Sequence, residues 1–220
     1  MLEAVIFDWD GTLADSKKYI VKAFQKVLRE VGCEVTDEYI DRLIGIGPRN
    51  IFKEALKSAN MPYSEEMINE MIEKKIKVQM KFLTEIELFD GAVELLSSLH
   101  NRVKMALATM SNRKVIEKIL DEKGVRKYFD VVITVDEVNK PKPDPEIFLK
   151  SAAKLECKPE RCVVVEDSIF GVMAAKRANM KCIAVPTGSY SKEELGKYKP
   201  DLLVDSLNDR DAILNFILDG

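Results

Sequence analysis

An unbroken apolar run at Ala4–Phe7 is followed by similar short runs at Val103–Ala108, Val131–Val135, Cys162–Val165 and Cys182–Val185, with a weaker one at Leu202–Val204. A run this short, bounded by polar residues, predicts a strand buried on both faces. Between the second and third runs, Val115, Ile116, Ile119 and Leu120 fall at helical spacing. Ile147, Phe148, Leu149, Ala152 and Ala153 do so between the third and fourth, and Val172, Ala175 and Ala178 between the fourth and fifth. Alternating strand and helix predicts an α/β fold, a doubly wound, Rossmann-like parallel sheet with helices on both faces.

The interval between the first two strands, residues 14–102, is far longer than one crossover helix needs. Its pattern is helical throughout. Ile20, Phe24, Val27, Leu28 and Val31 form one stripe, ended by Gly32. Tyr39, Ile40, Leu43 and Ile44 form a second; Ile51, Ala55, Leu56 and Ala59 a third; Met67, Ile68, Met71, Ile72 and Ile76 a fourth. A small all-helical cap domain, inserted after the first strand, is therefore expected over 16–83, with the core formed by 1–15 and 84–220. A further helix carrying Val93, Leu95, Leu96 and Leu99 returns the chain to the sheet.

Composition narrows the function classes. The 220 residues suit one domain, or one with an insert. Apolar residues make up 46% and charged residues 32%, and the net charge is −3. There is no polybasic stripe, which argues against a nucleic-acid partner. No apolar run approaches the roughly 18 residues of a membrane span. The apolar start, Met1–Phe7, is cut off by Asp8 and Asp10 and is too short for a signal peptide. Cys33, Cys157, Cys162 and Cys182 form no CxxC pair and no zinc spacing, so reduced thiols in a cytoplasmic protein are expected. The single histidine, His100, disfavours histidine-based nucleophilic or metal mechanisms. Monomer and homodimer remain open.

Ligands of open parallel sheets bind at the carboxyl ends of the strands. After the first strand comes Asp8-Trp9-Asp10-Gly11-Thr12, where extended chain turns Asp8 and Asp10 the same way and Trp9 aside. After the second comes Thr109-Met110-Ser111-Asn112, a hydroxyl followed by small polar groups. Beyond the third comes Asn139-Lys140-Pro141-Lys142-Pro143-Asp144, and after the fourth Glu166-Asp167-Ser168, then Gly171. Four carboxylates gathered at one sheet edge repel one another. A hard divalent cation such as Mg²⁺ relieves this, since it takes oxygen ligands. The lysine and hydroxyls beside it suit an anion, with phosphate the obvious candidate.

These four segments, in this order, resemble the motifs of the haloacid dehalogenase superfamily, and the likeness covers nearly the whole chain. The insert after the first motif is similar to the cap of the subgroup that contains phosphoglycolate phosphatase and β-phosphoglucomutase. The resemblance implies that Asp8 attacks phosphorus to form an aspartyl-phosphate and that Asp10 is the general acid and base. It implies Mg²⁺ held by Asp8, by the backbone carbonyl of Asp10 and by Asp167, with Glu166 either a direct ligand or a neighbour. Thr109 and Lys140, with Ser111 and Asn112, are expected around the phosphoryl group.

Charge alone does not separate Lys140 from Lys142. The superfamily pattern Lys-Pro-x-Pro-Asp selects Lys140 and leaves Lys142 as a solvated surface residue. Asp144, ahead of Pro145 and Glu146, reads as a helix cap. The run Glu73-Lys74-Lys75-Ile76-Lys77 reads as a solvated helix face. In the cap, Gly45-Ile46-Gly47-Pro48-Arg49 resembles a substrate loop, so Arg49 is a candidate for a second anionic group on a small phosphorylated metabolite, with a surface arginine the even alternative. Ile20 stands where the resemblance to β-phosphoglucomutase implies a histidine, which weakens a mutase. Asp10, which dehalogenases lack, favours phosphoryl transfer. The expected function is a Mg²⁺-dependent phosphatase of small phosphomonoesters, phosphoglycolate or a sugar phosphate. A phosphosugar mutase and a catalytically silent phosphate-binding regulator are the alternatives.

Overall fold

The computed structural model describes residues 1–219. Six strands, β1 (Ala4–Phe7), β4 (Lys104–Ala108), β5 (Val131–Ile133), β6 (Cys162–Glu166), β7 (Lys181–Ala184) and β8 (Leu202–Leu203), form one parallel sheet in the order β5-β4-β1-β6-β7-β8. Every apolar run supplies its strand. β5 stops before Thr134 because that side chain caps the next turn, in a capping box with Glu137.

Period-two alternation divides β1 between two apolar layers. Val5 and Phe7 pack against α5 (Ala92–Leu99), α6 (Arg113–Glu122) and α10 (Arg210–Leu218). Ala4 and Ile6 point the other way, toward α7 (Glu146–Lys154) and α8 (Ile169–Arg177). The doubly wound α/β expectation holds. Three residues of the predicted helical stripes, Val93, Leu149 and Ala153, are instead exposed.

After β1 the chain turns on Gly11, whose φ of +88° suits glycine. The amides of Thr12, Leu13 and Ala14 all donate to the Trp9 carbonyl. β2 (Ala14–Asp15) then pairs antiparallel with β3 (Glu87–Leu88), so the helical segment leaves and rejoins the core along one two-stranded ribbon. That segment holds α1 (Lys17–Glu30), α2 (Asp37–Asp41), α3 (Pro48–Ser58) and α4 (Glu65–Gln79). α2 is only five residues long; Leu43 and Ile44 continue it as turns before Gly45, at φ +113°. These helices bury their own apolar cluster, in which the Phe24 and Phe52 rings meet edge to face at 4.7 Å. Thr36 and Ser64 cap α2 and α4 by accepting from the amides of Tyr39 and Met67.

Leu56 is fully buried in that cluster. Leu56→Ala should cost about 2–5 kcal/mol of cap stability, because it removes buried methyls and leaves a cavity. Urea denaturation should show a lower midpoint.

Candidate functional site

β1 sits between β4 and β6, so the segments that follow these three strands converge. The Asp8 amide still donates to Val165 (3.0 Å) and that of Thr109 to Ile133 (3.0 Å), which extends the sheet up to the site. As their spacing predicts, Asp8 and Asp10 face one cavity while Trp9 is buried in the core behind them. The Asp10 carboxylate is fixed by three hydroxyl donors: Ser16 at 2.6 Å, Ser111 at 2.6 Å and Thr109 at 3.3 Å.

The structure corrects the choice of lysine. Lys142 is buried, and its Nζ lies 2.6 Å from Asp8 Oδ1 and 2.5 Å from Glu166 Oε1. Lys140 is exposed; its amide is held by Glu146 Oε2 at 2.8 Å. The segment carries the lysine–proline step twice, and the register Lys142-Pro143-Asp144-Pro145-Glu146 has the same spacing as the one starting at Lys140, with Glu in place of the final Asp. The start of α7 decides between them. Glu146 opens the helix and accepts from both the Asn139 and Lys140 amides, which pins that end of the loop outside. Asp144 supports the helix start by accepting from the Glu146 amide at 3.0 Å.

Asp8, Glu166 and Asp167 each offer a carboxylate oxygen, all within 4.8 Å of one another, and all three residues are buried. Hard oxygen donors packed this closely fit a hard divalent cation. Burial raises the Asp8 pKa well above the usual carboxylate range; Lys142 opposes the rise, while Glu166, Asp167 and Asp10 add to it. Burial lowers the Lys142 pKa, but Asp8 and Glu166 outweigh it and keep the amine charged. Glu166 is held tightly. Its Oε2 accepts from the amides of Asp167 and Ser168 at 3.1 Å and from the Ser168 hydroxyl at 3.0 Å. A Cβ on Gly171 would lie 1.8 Å from the Glu166 carboxyl carbon, so only glycine fits there. Asp167 accepts from Thr12 Oγ1 at 3.1 Å and pairs with Lys17 Nζ at 2.7 Å.

The cap closes over this set. Ile20, Phe24, Ile44, Pro48 and Ile51 face Asp8 and Asp10 across a cavity of about 30 Å³. Lys75 joins them. Far from being a solvated residue, it is buried, hydrogen-bonded to Gln79 and 5.2 Å from the Phe24 ring centre. Burial lowers its pKa to about 8, against the pull of Asp10 and Asp136. Arg49 does not reach this cavity. It pairs with Glu65 at 2.7 Å, hydrogen-bonds Asn69, and lines a wider adjoining cleft of about 720 Å³ with Asn112. The Asn112 amide nitrogen donates one hydrogen to Asp136 (3.2 Å), and its buried side-chain oxygen has no hydrogen-bond partner.

Three side chains at the site were not singled out by their sequence pattern. Lys75 continues the buried face of Ile68 and Met71, one turn on, and Lys17 precedes Ile20 and Phe24 by one and two turns. Ser16 has no such signal.

The sequence profile of haloacid dehalogenase-like hydrolases matches residues 5–185. The chain belongs to that family. A phosphorylated carbohydrates phosphatase of Thermotoga maritima is 34% identical over 183 residues, 83% of this chain and 84% of the relative. A fructose-1-phosphate phosphatase of Escherichia coli is 32% identical over 181 residues, 82% of this chain and 95% of the relative. The crystal structure of a β-phosphoglucomutase from Clostridium difficile superposes with a TM-score of 0.86 at 32% identity, covering 95% of this chain and 93% of that one. This haloacid dehalogenase-like hydrolase is thereby a phosphoric monoester hydrolase. Among its described residues no helix is long and apolar enough to cross a membrane.

Lys142→Ala leaves Asp8 and Glu166 without their shared cation. It should lower kcat/KM on p-nitrophenyl phosphate by about 10²–10³-fold or more, the effect of removing one preorganised charge donor. Lys140→Ala should stay within about twofold of wild type, as expected of a surface side chain without a buried partner. Equal losses in the two variants would reverse the assignment.

Proposed function

We propose that this hydrolase is a Mg²⁺-dependent phosphatase of small phosphorylated carbohydrates that works through an aspartyl-phosphate on Asp8. The observation that carries the reading is the buried set Asp8, Lys142, Glu166 and Asp167 beside Asp10. A carboxylate oxygen of Asp8 forms the bond to phosphorus as the bond to the ester oxygen breaks, and Asp10 gives that oxygen its proton. A water then attacks phosphorus, Asp10 takes its proton, and phosphate leaves with Asp8 restored. Lys142 takes the place expected of Lys140 and holds charge on the phosphoryl oxygens, with Thr109 and Ser111 orienting Asp10. Asp8, Glu166 and Asp167 would hold Mg²⁺, with the Asp10 carbonyl as a further ligand. When bound it supplies a Lewis acid that neutralises phosphoryl charge and favours ionised Asp8.

The cap residues bear on the substrate. With Arg49 engaged by Glu65 and Asn69, support for a second dianionic group falls, and with it the case for phosphoglycolate. One ammonium, Lys75, and one free amide acceptor, Asn112, suit a hydroxylated leaving group better. The named activities of the Thermotoga maritima and Escherichia coli relatives lean the same way. Ile20 lines the cavity where the resemblance to a mutase implies histidine, and so hydrolysis is favoured over phosphosugar transfer. The intact acidic set argues against a silent regulator. The four free cysteines accord with a cytoplasmic location.

Phosphate release from a panel holding fructose-1-phosphate, other sugar phosphates and phosphoglycolate, with Mg²⁺ and with EDTA, tests the reading. Release should require Mg²⁺, vanish in Asp8→Asn and rank sugar phosphates first. Metal-independent release, or full activity in Asp8→Asn, would sink it.

The pH profile tests the role of Lys75. Its amine is charged below about pH 8 and neutral above. KM for the best anionic substrate should therefore rise as pH passes about 8, and in Lys75→Met it should be raised already at pH 7 and stay flat. A wild-type profile that remains level up to pH 9.5 would remove Lys75 from substrate binding.

A further inference from the structure

Lys17 is the other ammonium that points inward from a cap helix. Its Nζ lies 2.7 Å from Asp167 Oδ2 and 2.8 Å from Ser189 Oγ, and the residue is 8% exposed. Two glycines seal this pair. A Cβ on Gly188 would stand 1.6 Å from Asp167 Oδ2 and 2.4 Å from Lys17 Nζ, and one on Gly11 would stand 2.4 Å from both Oδ2 and the Lys17 Cε. Asp167 lines the small cavity above Asp8, whereas Lys17 does not, so the ammonium stands behind the carboxylate as seen from the reacting groups. The Ser189 hydroxyl that accepts from Lys17 donates to the Asp41 carbonyl (3.2 Å) at the end of α2. Arg42 donates to the Ser189 carbonyl at 3.0 Å and pairs with Glu194 at 2.7 Å.

We propose that Lys17 is a positioning residue for the cation site. Its charge holds Asp167 Oδ2, a buried oxygen with no hydrogen-bond donor, by an ion pair, so that the carboxylate meets Asp8 and Glu166 in one orientation, and it ties that carboxylate through Ser189 to the cap. The inference rests on the Mg²⁺-dependent reading. Four carboxylates (Asp8, Asp10, Glu166, Asp167) outnumber three ammonium groups (Lys142, Lys17 and, below about pH 8, Lys75), so the buried site has a net negative formal charge that a bound cation offsets. Two effects oppose each other when Lys17 is removed. Lost repulsion favours the metal, whereas a freed, partnerless carboxylate disfavours it. Outer partners of metal ligands typically contribute about 10–100-fold in affinity. Standing behind the ligand and held by Ser189, Lys17 acts chiefly through orientation.

The test is Mg²⁺ titration by calorimetry on wild type, Lys17→Met and Ser189→Ala, at one pH and without substrate, with metal-free and Mg²⁺-loaded Tm measured beside it. The expected result is a Kd about 10–100-fold higher in Lys17→Met and a smaller rise in Ser189→Ala. An unchanged Kd with Tm lowered equally in both states would mean Lys17 is only structural. A tighter Kd would mean repulsion dominates. Either result overturns the inference while leaving the phosphatase reading intact. A wild type that binds no Mg²⁺ and releases phosphate without it would overturn both. Should Lys17→Met not fold, Ser189→Ala alone decides by the same criterion.

Discussion

The site depends on one buried ammonium held between two buried carboxylates. Asp8 and Glu166 end neighbouring parallel strands, and pairing of β1 with β6 forces them together. Lys142 Nζ lies within 2.6 Å of both. Removing three charges from water is costly, and attraction offsets that cost only where geometry is tight and every remaining oxygen is bonded. Here it is. The second Glu166 oxygen takes three donors, and Gly171 leaves room for no other side chain beside it. Even so, burial and like charge hold Asp8 toward its protonated form. The arrangement favours further positive charge beside Asp8, which on the proposed reading restrains the carboxylate until cation and phosphate are both present.

The cap supplies the second constraint. A cavity of about 30 Å³ over Asp8 has room for a water or two and none for a phosphorylated sugar. Ligand sites commonly measure about 300–1,000 Å³. The adjoining cleft of about 720 Å³ is in that range and shares Pro48 with the cavity. On the proposed reading, substrate entry would require the helical segment to move, and the ribbon of β2 and β3 is the place where it joins the core. The apolar wall of Ile20, Phe24, Ile44 and Ile51 then excludes bulk water as it closes and strengthens the charge interactions beneath it.

Periodicity carried most of the fold. Short apolar runs marked the six strands, and helical stripes marked the insert, because burial on two faces or on one leaves a direct trace in composition. The strand-end motifs placed Asp8, Asp10, Thr109, Ser111, Glu166 and Asp167 at one edge for the same topological reason. Lys142 escaped because the lysine–proline step is repeated two residues apart, and spacing alone fits both registers. What separates them is the turn into α7, where Glu146 draws the Asn139 and Lys140 amides outward. That is a tertiary fact. The sequence leaves Arg49 between a substrate contact and a surface arginine for a related reason: nothing local to its loop foretells that Glu65, from the next helix, takes its guanidinium.

Lys17 and Lys75 were hidden by their chemical type, since lysine in a helix is ordinarily solvated. Their positions were nevertheless legible. Lys17 leads the stripe of Ile20, Val21 and Phe24, and Lys75 follows Ile68 and Met71 at helical spacing, so helix geometry alone turns both inward. Their surroundings then separate their roles. Lys17 ends on a carboxylate and a hydroxyl, so its charge has a carboxylate partner. Lys75 ends on an amide oxygen and an aromatic face, which solvate a charge less well than water does, and its pKa falls to about 8. A buried ammonium without a carboxylate partner is held at a cost that an incoming anion relieves. The paired lysine therefore orders the cation's ligands, and the unpaired one faces the substrate.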